Sequence, residues 1–438
     1  MSLFAIGASY ELFRNVTFRN LGSLGIFAIS IGFLYQLPWI CAKLTNSFSF
    51  TQNIYGTSEV ANLGWADVLA YPVVDTLALI LTLAYILKSL TRHNKYSRSI
   101  LFLSMIPLLS LLSRLIVERQ TPNGQPILLF LVLFAVSSMH SSSKQIIAAG
   151  AFFTLALASL STAFAIFLPK ESFVACPNKC TVIHELLSGS TSHYNQLGMM
   201  MGLGFSFVWL NFKGRKRLYL STFVALVLYL SGSRAAYLSL ACQILILIVL
   251  KGSKSSASNY RFMLGKLALL VTVFASLVLP FRIHNDNFAT GRGYLWRLAL
   301  KYFGESPYIG KGSKFWSDQF SLGNVGQAGT YSPHNQYLDI FVLGGIIAVL
   351  IFFGSSIYWI ISPNRSSQRY IQPILMSVFA LGVLECPLTL SLVMPTTWFM
   401  LLFISFFSAN DNSESLHDYK QSNLEEIEPN DRKTRQFR

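Results

Sequence analysis

The chain alternates long apolar runs with short polar stretches from end to end. Each run is roughly 20 residues long, which is the length that crosses the hydrocarbon core of a bilayer as a helix. The pattern therefore predicts an all-α polytopic membrane protein with about twelve transmembrane helices. Their approximate cores are 20–40, 68–88, 99–117, 126–140, 145–169, 195–211, 218–231, 234–250, 265–280, 336–361, 371–386 and 390–408.

The run from Leu218 to Leu250 holds a single charged residue, Arg234, near its centre. One long helix would place this cation at the bilayer centre, at a cost of about 2.5–3.5 kcal/mol. Ser231, Gly232 and Ser233 favour a tight turn instead. We therefore predict two short helices joined at this turn, with Arg234 at the outer membrane edge and both flanking basic clusters on the cytoplasmic side.

The formal net charge of +15 could indicate a nucleic-acid partner. The basic residues, however, lie in short loops beside apolar runs, which is the pattern of cytoplasmic loops. The sequence thus predicts a membrane protein with both termini in the cytoplasm, membrane lipids around it and no nucleic-acid partner. We divide it into N-terminal helices (1–188), a core (189–409) and a disordered cytoplasmic tail (410–438).

A long external loop, 281–335, separates the ninth and tenth predicted spans, and long ordered loops are usually functional. Within it, the stretch "GRGYLWRLALKYFG" has apolar residues at helical spacing, with Arg297 and Lys301 on another face. This spacing predicts an amphipathic helix on the outer membrane surface. An ordinary surface helix is the alternative.

Several polar residues are predicted to meet at the external face: His193 and Asn195, Arg234, Arg292 and Arg297, and His334 with Asn335. Fixed arginines in a partly dry site suit a phosphate or diphosphate, and a histidine beside them suits proton transfer near neutral pH. Each has a simpler alternative. Arg234 could reach lipid headgroups, and Asn195 could cap the sixth span.

The acidic residues and cysteines provide weaker evidence for function than the arginines and histidines. A divalent cation prefers clustered carboxylates, whereas the external carboxylates are dispersed, so no metal or other cofactor is expected. Asp75 and Glu385 lie in or near spans, where carboxylates are functional candidates. Their predicted position near the outer edge weakens that argument, and neither is assigned a role.

Cys176 and Cys180 in "CPNKC" form either a disulfide in an external loop or two free thiols. A zinc site is disfavoured.

The ordered motifs resemble the superfamily of O-antigen ligases and O-antigen polymerases. The resemblance rests on "GSTSHYNQLG", "LSGSRAAYLSL", "TGRGYLWRLAL", "SPYIGKGSKF" with Pro307, Gly310 and Gly312, and "SPHNQYLDIFVLGG" with Gly344 and Gly345. It covers roughly 189–345, whereas the first five spans match only as generic membrane helices.

This resemblance implies a glycosyltransferase of the C-type architecture in a bacterial cytoplasmic membrane. Such an enzyme moves a glycan from a polyprenyl-diphosphate donor to a lipid or glycan acceptor at the external face, without a metal. The implied roles are stabilisation of the leaving diphosphate by Arg234 and Arg292, with Arg297 as a further contact, and general-base catalysis by His334. His193, Asn195 and Asn335 are then expected to bind substrate.

Other functions stay open at this point. The motifs do not separate a ligase, which we favour slightly, from a polymerase that joins repeat units. A polysaccharide or lipid transporter would also have about twelve spans, although transporters usually bind their substrates near the membrane midplane. A peptidoglycan-type glycosyltransferase would rely on an external aspartate that these motifs lack. A non-catalytic scaffold would tolerate alanine at Arg234, Arg292 and His334.

Overall fold

The protein is a helical bundle in a computed structural model that describes residues 18–45, 47, 49–52, 58–62, 72–91, 96–117, 119, 124–139, 141–176, 181–182, 184–251, 258–289, 291–325, 332–361, 365–389 and 395–407. The helices in this part of the chain are α1 (Phe18–Leu34), α2 (Leu37–Leu44), α3 (Val74–Leu90), α4 (Arg98–Ile116), α5 (Gly124–Ser138), α6 (Ser143–Phe167), α7 (Pro169–Ser172), α8 (Tyr194–Asn211), α9 (Gly214–Ser231), α10 (Arg234–Leu250), α11 (Ser258–Arg282), α12 (Arg292–Glu305), α13 (Phe315–Ser321), α14 (Gln336–Ile361), α15 (Arg365–Gly382) and α16 (Pro395–Phe407). Two short antiparallel hairpins pair β1 (Ser49–Gln52) with β2 (Ser58–Asn62) and β3 (Phe173–Ala175) with β4 (Glu185–Leu187).

Each of the twelve predicted cores overlaps a helix, so the all-α prediction is confirmed. The helices long and apolar enough to cross a membrane number five among the described residues: Asn20–Leu44, Arg98–Ile116, Ser143–Phe167, Tyr260–Arg282 and Gln336–Ile361. Gly124–Ser138, Arg234–Leu250 and Pro395–Phe407 are shorter apolar helices. The total of twelve spans remains a prediction. The predicted tail, 410–438, and Cys180 of the possible disulfide lie outside the described residues.

The predicted turn at Arg234 is confirmed. Helix α9 ends at Ser231, Gly232 adopts a left-handed backbone (φ 67°), and α10 begins at Arg234. Contacts of α8 with α10 pair residues in ascending order: Gly198 with Ser233, Gly202 with Ala236 and Ser206 with Gln243. Helices α8 and α10 are therefore parallel, which requires α9 between them in sequence to run in the opposite direction.

The hydrogen bonds between α10 and α15 show, in the same way, how these two helices are oriented. Ser239 of α10 donates a hydrogen bond to the carbonyl of Ser377 in α15 at 2.8 Å, and Ser206, the partner of Gln243, donates to the Pro373 carbonyl. Helices α10 and α15 are thus antiparallel. The starts of α8 and α10 and the end of α15 consequently lie at one end of the bundle, which we call the site end.

Helix α12 confirms the predicted amphipathic helix but corrects its location. Its apolar face, including Leu295, Trp296 and Ala299, is buried within the protein. Phe303 packs edge-on against Phe341 of α14 with ring centroids 4.6 Å apart. Because protein covers this face, it does not rest on the outer membrane surface as expected. The loop has its own apolar contacts, which hold it against α14.

Helix α14 is broken at Gly345, whose backbone (φ 66°, ψ −169°) is not helical. The loop before it fills the break. The Lys311 N–H donates to the Val342 carbonyl at 2.7 Å, and the Ile346 N–H donates to the Pro307 carbonyl at 2.8 Å. Backbone groups freed by the break thus find partners in the segment 307–312, as buried backbone groups must. The loop is fastened to the helix that begins just after His334.

Glycine is required where these backbones touch. A Cβ on Gly345 would overlap the backbone of Tyr308, and one on Gly310 would lie 2.6 Å from the backbone nitrogen of Gly344. Both glycines also have positive φ. The glycine-bearing motifs of the sequence therefore have a structural meaning: they allow the loop and the broken helix to approach closely.

Replacing Gly345 with alanine is expected to destabilise the protein, because both the left-handed backbone and the contact with Tyr308 would be lost. The expected loss is about 1–3 kcal/mol of unfolding free energy, measured as a lower thermal unfolding temperature in detergent. Gly354 in the same helix is the matched control, since nothing lies within 4 Å of a Cβ there. The Gly354→Ala variant should be as stable as the wild type or slightly more stable. Equal stability of both variants would contradict the structural role of Gly345.

Candidate functional site

Two of the three predicted catalytic residues meet at one carboxylate, that of Glu385. The Arg292 guanidinium forms an ion pair with Glu385 Oε1 through Nη2, and His334 Nδ1 lies 2.8 Å from Glu385 Oε2. The side chains of Glu385 and Arg292 are only 5% and 12% exposed, whereas His334 is 25% exposed. A largely buried carboxylate thus holds a cation on one side and a histidine on the other.

Three separate elements bring these groups together. Arg292 is the first residue of α12, and Gly291 before it has a left-handed backbone (φ 92°). His334 lies just before α14, and Glu385 follows the end of α15. His334 itself has a positive φ of 54°, which is uncommon for a residue with a side chain. Such backbone strain persists only where the surroundings impose it, often at functional sites.

Asn335, predicted to bind substrate, is fully buried and occupied by the protein itself. Its side-chain oxygen accepts from the N–H groups of Tyr337 and Leu338, as a helix cap does. Its amide nitrogen donates to the carbonyls of Ser276 and Val383 at 3.0 and 3.1 Å. Asn335 therefore joins the start of α14 to α11 and to the segment that carries Glu385, so it positions His334.

The Asn335→Ala variant should be less stable, because it removes a helix cap and leaves two buried carbonyls without their donor. Loss of the cap alone is expected to cost about 0.5–2 kcal/mol, and the two carbonyls add to this. Thermal unfolding in detergent measures the effect. An Asn335→Asp variant keeps the capping oxygen and should lose less through the helix start. Unchanged stability of the alanine variant would contradict this role.

Arg297 is placed differently from Arg292. It forms an ion pair with Asp286, donates to the His284 carbonyl at 2.7 Å and is 43% exposed. The structure does not bring it to the Glu385 carboxylate with Arg292. Its contacts tie the start of α12 to the turn before that helix.

His193 and Asn195 lie at the start of α8, at the site end, and are half-buried. The residue that caps the helix is His193, because its Nδ1 accepts from the Asn195 N–H at 3.1 Å. The alternative that Asn195 supplies the cap is therefore wrong. Tyr194 between them lies within electrostatic range of both Glu385 and Arg292, which links the start of α8 to the carboxylate.

A buried lysine anchors the loop before α8. Lys43 Nζ, from α2, donates to Ser188 Oγ at 2.9 Å and to the Gly189 carbonyl at 2.6 Å. Ser190 is hydrogen-bonded to Ser161 of α6 at 2.9 Å. The N-terminal helices thus take part in shaping the site end, although their sequence carried no recognisable motif.

Arg234 is the first residue of α10 and is exposed. Its side chain makes no hydrogen bond or ion pair with any other residue that the structure describes. The preceding Ser233 packs on Gly198, one helical turn beyond Tyr194. Arg234 is therefore a cation at the site end, next to α8, and no carboxylate within the described ranges neutralises it.

Sequence reasoning noted Glu385 as a carboxylate near a span but gave it no role. One feature of the sequence could have pointed to a role for it. Glu385 is the only acidic residue in the predicted eleventh span, and a lone carboxylate there needs a partner. The partners themselves come from α12 and from the start of α14, about 50 to 90 residues earlier in the chain, so no local pattern pointed to them.

Comparison with known proteins gives a family match in the middle of the chain. Residues 220–353 match the model of a protein family described as O-Antigen ligase. The matched range includes Arg234, Arg292 and His334, whereas Glu385 lies beyond it. No curated protein shows significant similarity to the chain. Members of this family transfer glycosyl groups as ligases or polymerases. The match supports the assignment of this multi-pass membrane protein to the O-antigen ligase and polymerase superfamily.

Proposed function

We propose that the protein moves a glycan from a polyprenyl-diphosphate donor to an acceptor hydroxyl in the assembly of cell-surface polysaccharide. The observation that carries the proposal is that the Glu385 carboxylate contacts both Arg292 and His334. It thus places a cation that suits a diphosphate beside a side chain that can accept a proton. An arginine binds phosphate oxygens strongly, and a histidine can take a proton near neutral pH.

The reaction requires one bond to form and one to break. The acceptor oxygen attacks the anomeric carbon, and its proton passes to His334. The bond between the anomeric carbon and the diphosphate oxygen breaks, and the electron pair leaves with the diphosphate. Arg292 stabilises this developing negative charge, as fixed cations do at leaving groups. Displacement from the opposite side inverts the anomeric centre.

Geometry supports His334 Nε2 as the proton-accepting atom. His334 Nδ1 lies against the Glu385 carboxylate at 2.8 Å, which favours the tautomer with its proton on Nδ1. The second nitrogen then carries the lone pair. Partial exposure of His334 allows an acceptor hydroxyl to approach it.

The other site-end residues fit substrate binding. Arg234 is an exposed cation suited to the donor diphosphate or to headgroup phosphates. The half-buried side chains of His193 and Asn195 lie at the start of α8, where a donor glycan could contact them. We place the site at the external face of a bacterial cytoplasmic membrane, with both termini in the cytoplasm and with residues 189–409 as the transferase core. We propose transfer without a metal.

The experiment that separates ligase from polymerase uses purified protein, a polyprenyl-diphosphate-linked oligosaccharide and a chelator. Products are resolved on a gel, with and without a candidate lipid acceptor. A single shift that requires the acceptor indicates a ligase, which we favour. A ladder from donor alone indicates a polymerase. No product with several donors would contradict the proposed function.

A further inference from the structure

The shared carboxylate has a consequence for the order of events at the site. Glu385 uses Oε1 for the Arg292 guanidinium and Oε2 for His334 Nδ1. The charge of this carboxylate is therefore shared between Arg292, which binds the glycan donor in the proposed function, and His334, which is the proposed base. A diphosphate that binds Arg292 competes with Oε1 for the same guanidinium.

We propose that Glu385 is a positioning residue that couples donor binding to the proton affinity of His334. Without donor, the carboxylate is drawn towards Arg292. When a diphosphate neutralises Arg292, the carboxylate charge acts mainly on His334, and the imidazole accepts a proton more readily. The base then becomes effective when a donor is present. This inference rests on the proposed function and names a regulation of the same site.

Two features of the structure make the coupling effective. Glu385 is 5% exposed, so little solvent screens its charge. Its backbone is tied to the start of α14, because Asn335, next to His334, donates to the carbonyl of Val383, two residues before Glu385. The segments that carry the carboxylate and the imidazole are therefore linked to each other, while Arg292 comes from a different helix.

Other titratable groups near this pair come from the surrounding elements. Tyr194 of α8 lies within electrostatic range of Glu385 and Arg292. The Cys386 thiol lies within range of Glu385 and of Asp339 in α14, whose carboxylate accepts from the Trp316 indole at 3.1 Å. None of these groups is a cation, whereas Arg292 contacts the Glu385 carboxylate with a positive charge.

The test measures binding and histidine reactivity as well as turnover. Inorganic pyrophosphate serves as the probe for the diphosphate site. Diethyl pyrocarbonate modifies neutral imidazoles, and mass spectrometry of the His334 peptide gives the pH midpoint of its modification. His284 in the same loop serves as the internal reference.

Substituting the carboxylate and substituting its arginine partner are expected to shift the His334 midpoint in opposite directions. In Glu385→Gln, the His334 midpoint should move to lower pH and kcat should fall about 10²-fold, as expected for a misplaced catalytic group, while pyrophosphate binds at least as tightly because Arg292 has lost its competitor. In Arg292→Ala, the midpoint should move to higher pH and pyrophosphate binding should weaken. Pyrophosphate should raise the midpoint in the wild type, by more than it does in Glu385→Gln.

Glu305→Gln is the matched control, since Glu305 lies in the loop that carries Arg292 and His334, is 44% exposed and pairs with Lys311. It should leave midpoint, binding and kcat unchanged. Glu385→Asp keeps the charge and should retain more turnover than Glu385→Gln. A Glu385→Gln variant with a wild-type midpoint, or with pyrophosphate binding weakened together with turnover, would overturn the coupling. Because midpoint and binding are measured without a donor, they test it even if no transfer is found.

Discussion

His334→Ala should abolish glycan transfer while the protein still folds and inserts. Removal of a positioned general base lowers rates about 10²–10⁴-fold, and His334 is the histidine that contacts the Glu385 carboxylate. The loss should appear in kcat, because the variant lacks the imidazole that would accept the proton of the acceptor hydroxyl. The measurement is the initial rate of product formation from a polyprenyl-diphosphate-linked oligosaccharide.

His284→Ala is the matched control. His284 is exposed in the same loop as His334, and its contact with Arg297 uses its backbone carbonyl, which the substitution leaves in place. This variant should transfer glycan at the wild-type rate. A His334→Ala variant that retains the wild-type rate would remove His334 from the reaction.

Arg292→Ala should lose both transfer and pyrophosphate binding. Removing one fixed group that stabilises developing charge typically lowers rates about 10²–10³-fold. The variant also leaves Glu385 buried with one partner fewer, so its thermal stability should fall as well. Arg292→Lys restores a positive charge but not the paired donors of a guanidinium, and it should recover only part of the activity.

Arg282 provides the comparison for this prediction. It is an exposed cation at the end of α11, close in sequence to Arg292. Arg282→Ala should change neither pyrophosphate binding nor transfer. Equal losses in Arg282→Ala and Arg292→Ala would show that overall loop charge, and not the Glu385 site, governs donor binding.

Much of this arrangement could be predicted from local patterns. The turn at Gly232 followed from one charge in an apolar run and from the turn residues beside it. The helix that begins at Arg292 followed from apolar spacing. These predictions succeeded because turns and amphipathic helices are encoded over a few consecutive residues.

The remaining features depend on contacts between distant segments. Glu385 gained a role only when α12 and the start of α14 were placed beside it. Asn335 looked like a substrate ligand, but packing against α11 uses its amide as a structural anchor. The apolar face of α12 fitted a membrane surface equally well, and only the position of α14 decided the question. Side-chain periodicity indicates which face of a helix is apolar, but it does not indicate whether lipid or protein covers that face.

A transporter would use the same residues differently. The cations and histidines at the start of α8, α10 and α12 lie at one end of the bundle, whereas transporters usually bind substrates near the midplane between repeats. The transfer that we propose needs the donor diphosphate, the acceptor and the base at one end of the bundle. The gathering of His193, Arg234, Arg292 and His334 at the site end therefore favours transfer.

The most direct test of the central claim counts products of the wild-type protein in a chelator. Polyprenyl diphosphate released and new glycosidic bonds formed are measured in the same reaction. We predict one diphosphate for each bond, with the anomeric configuration of the donor inverted and with both products lost in His334→Ala. Donor that crosses the membrane unaltered, or diphosphate released without a new glycosidic bond, would contradict the account.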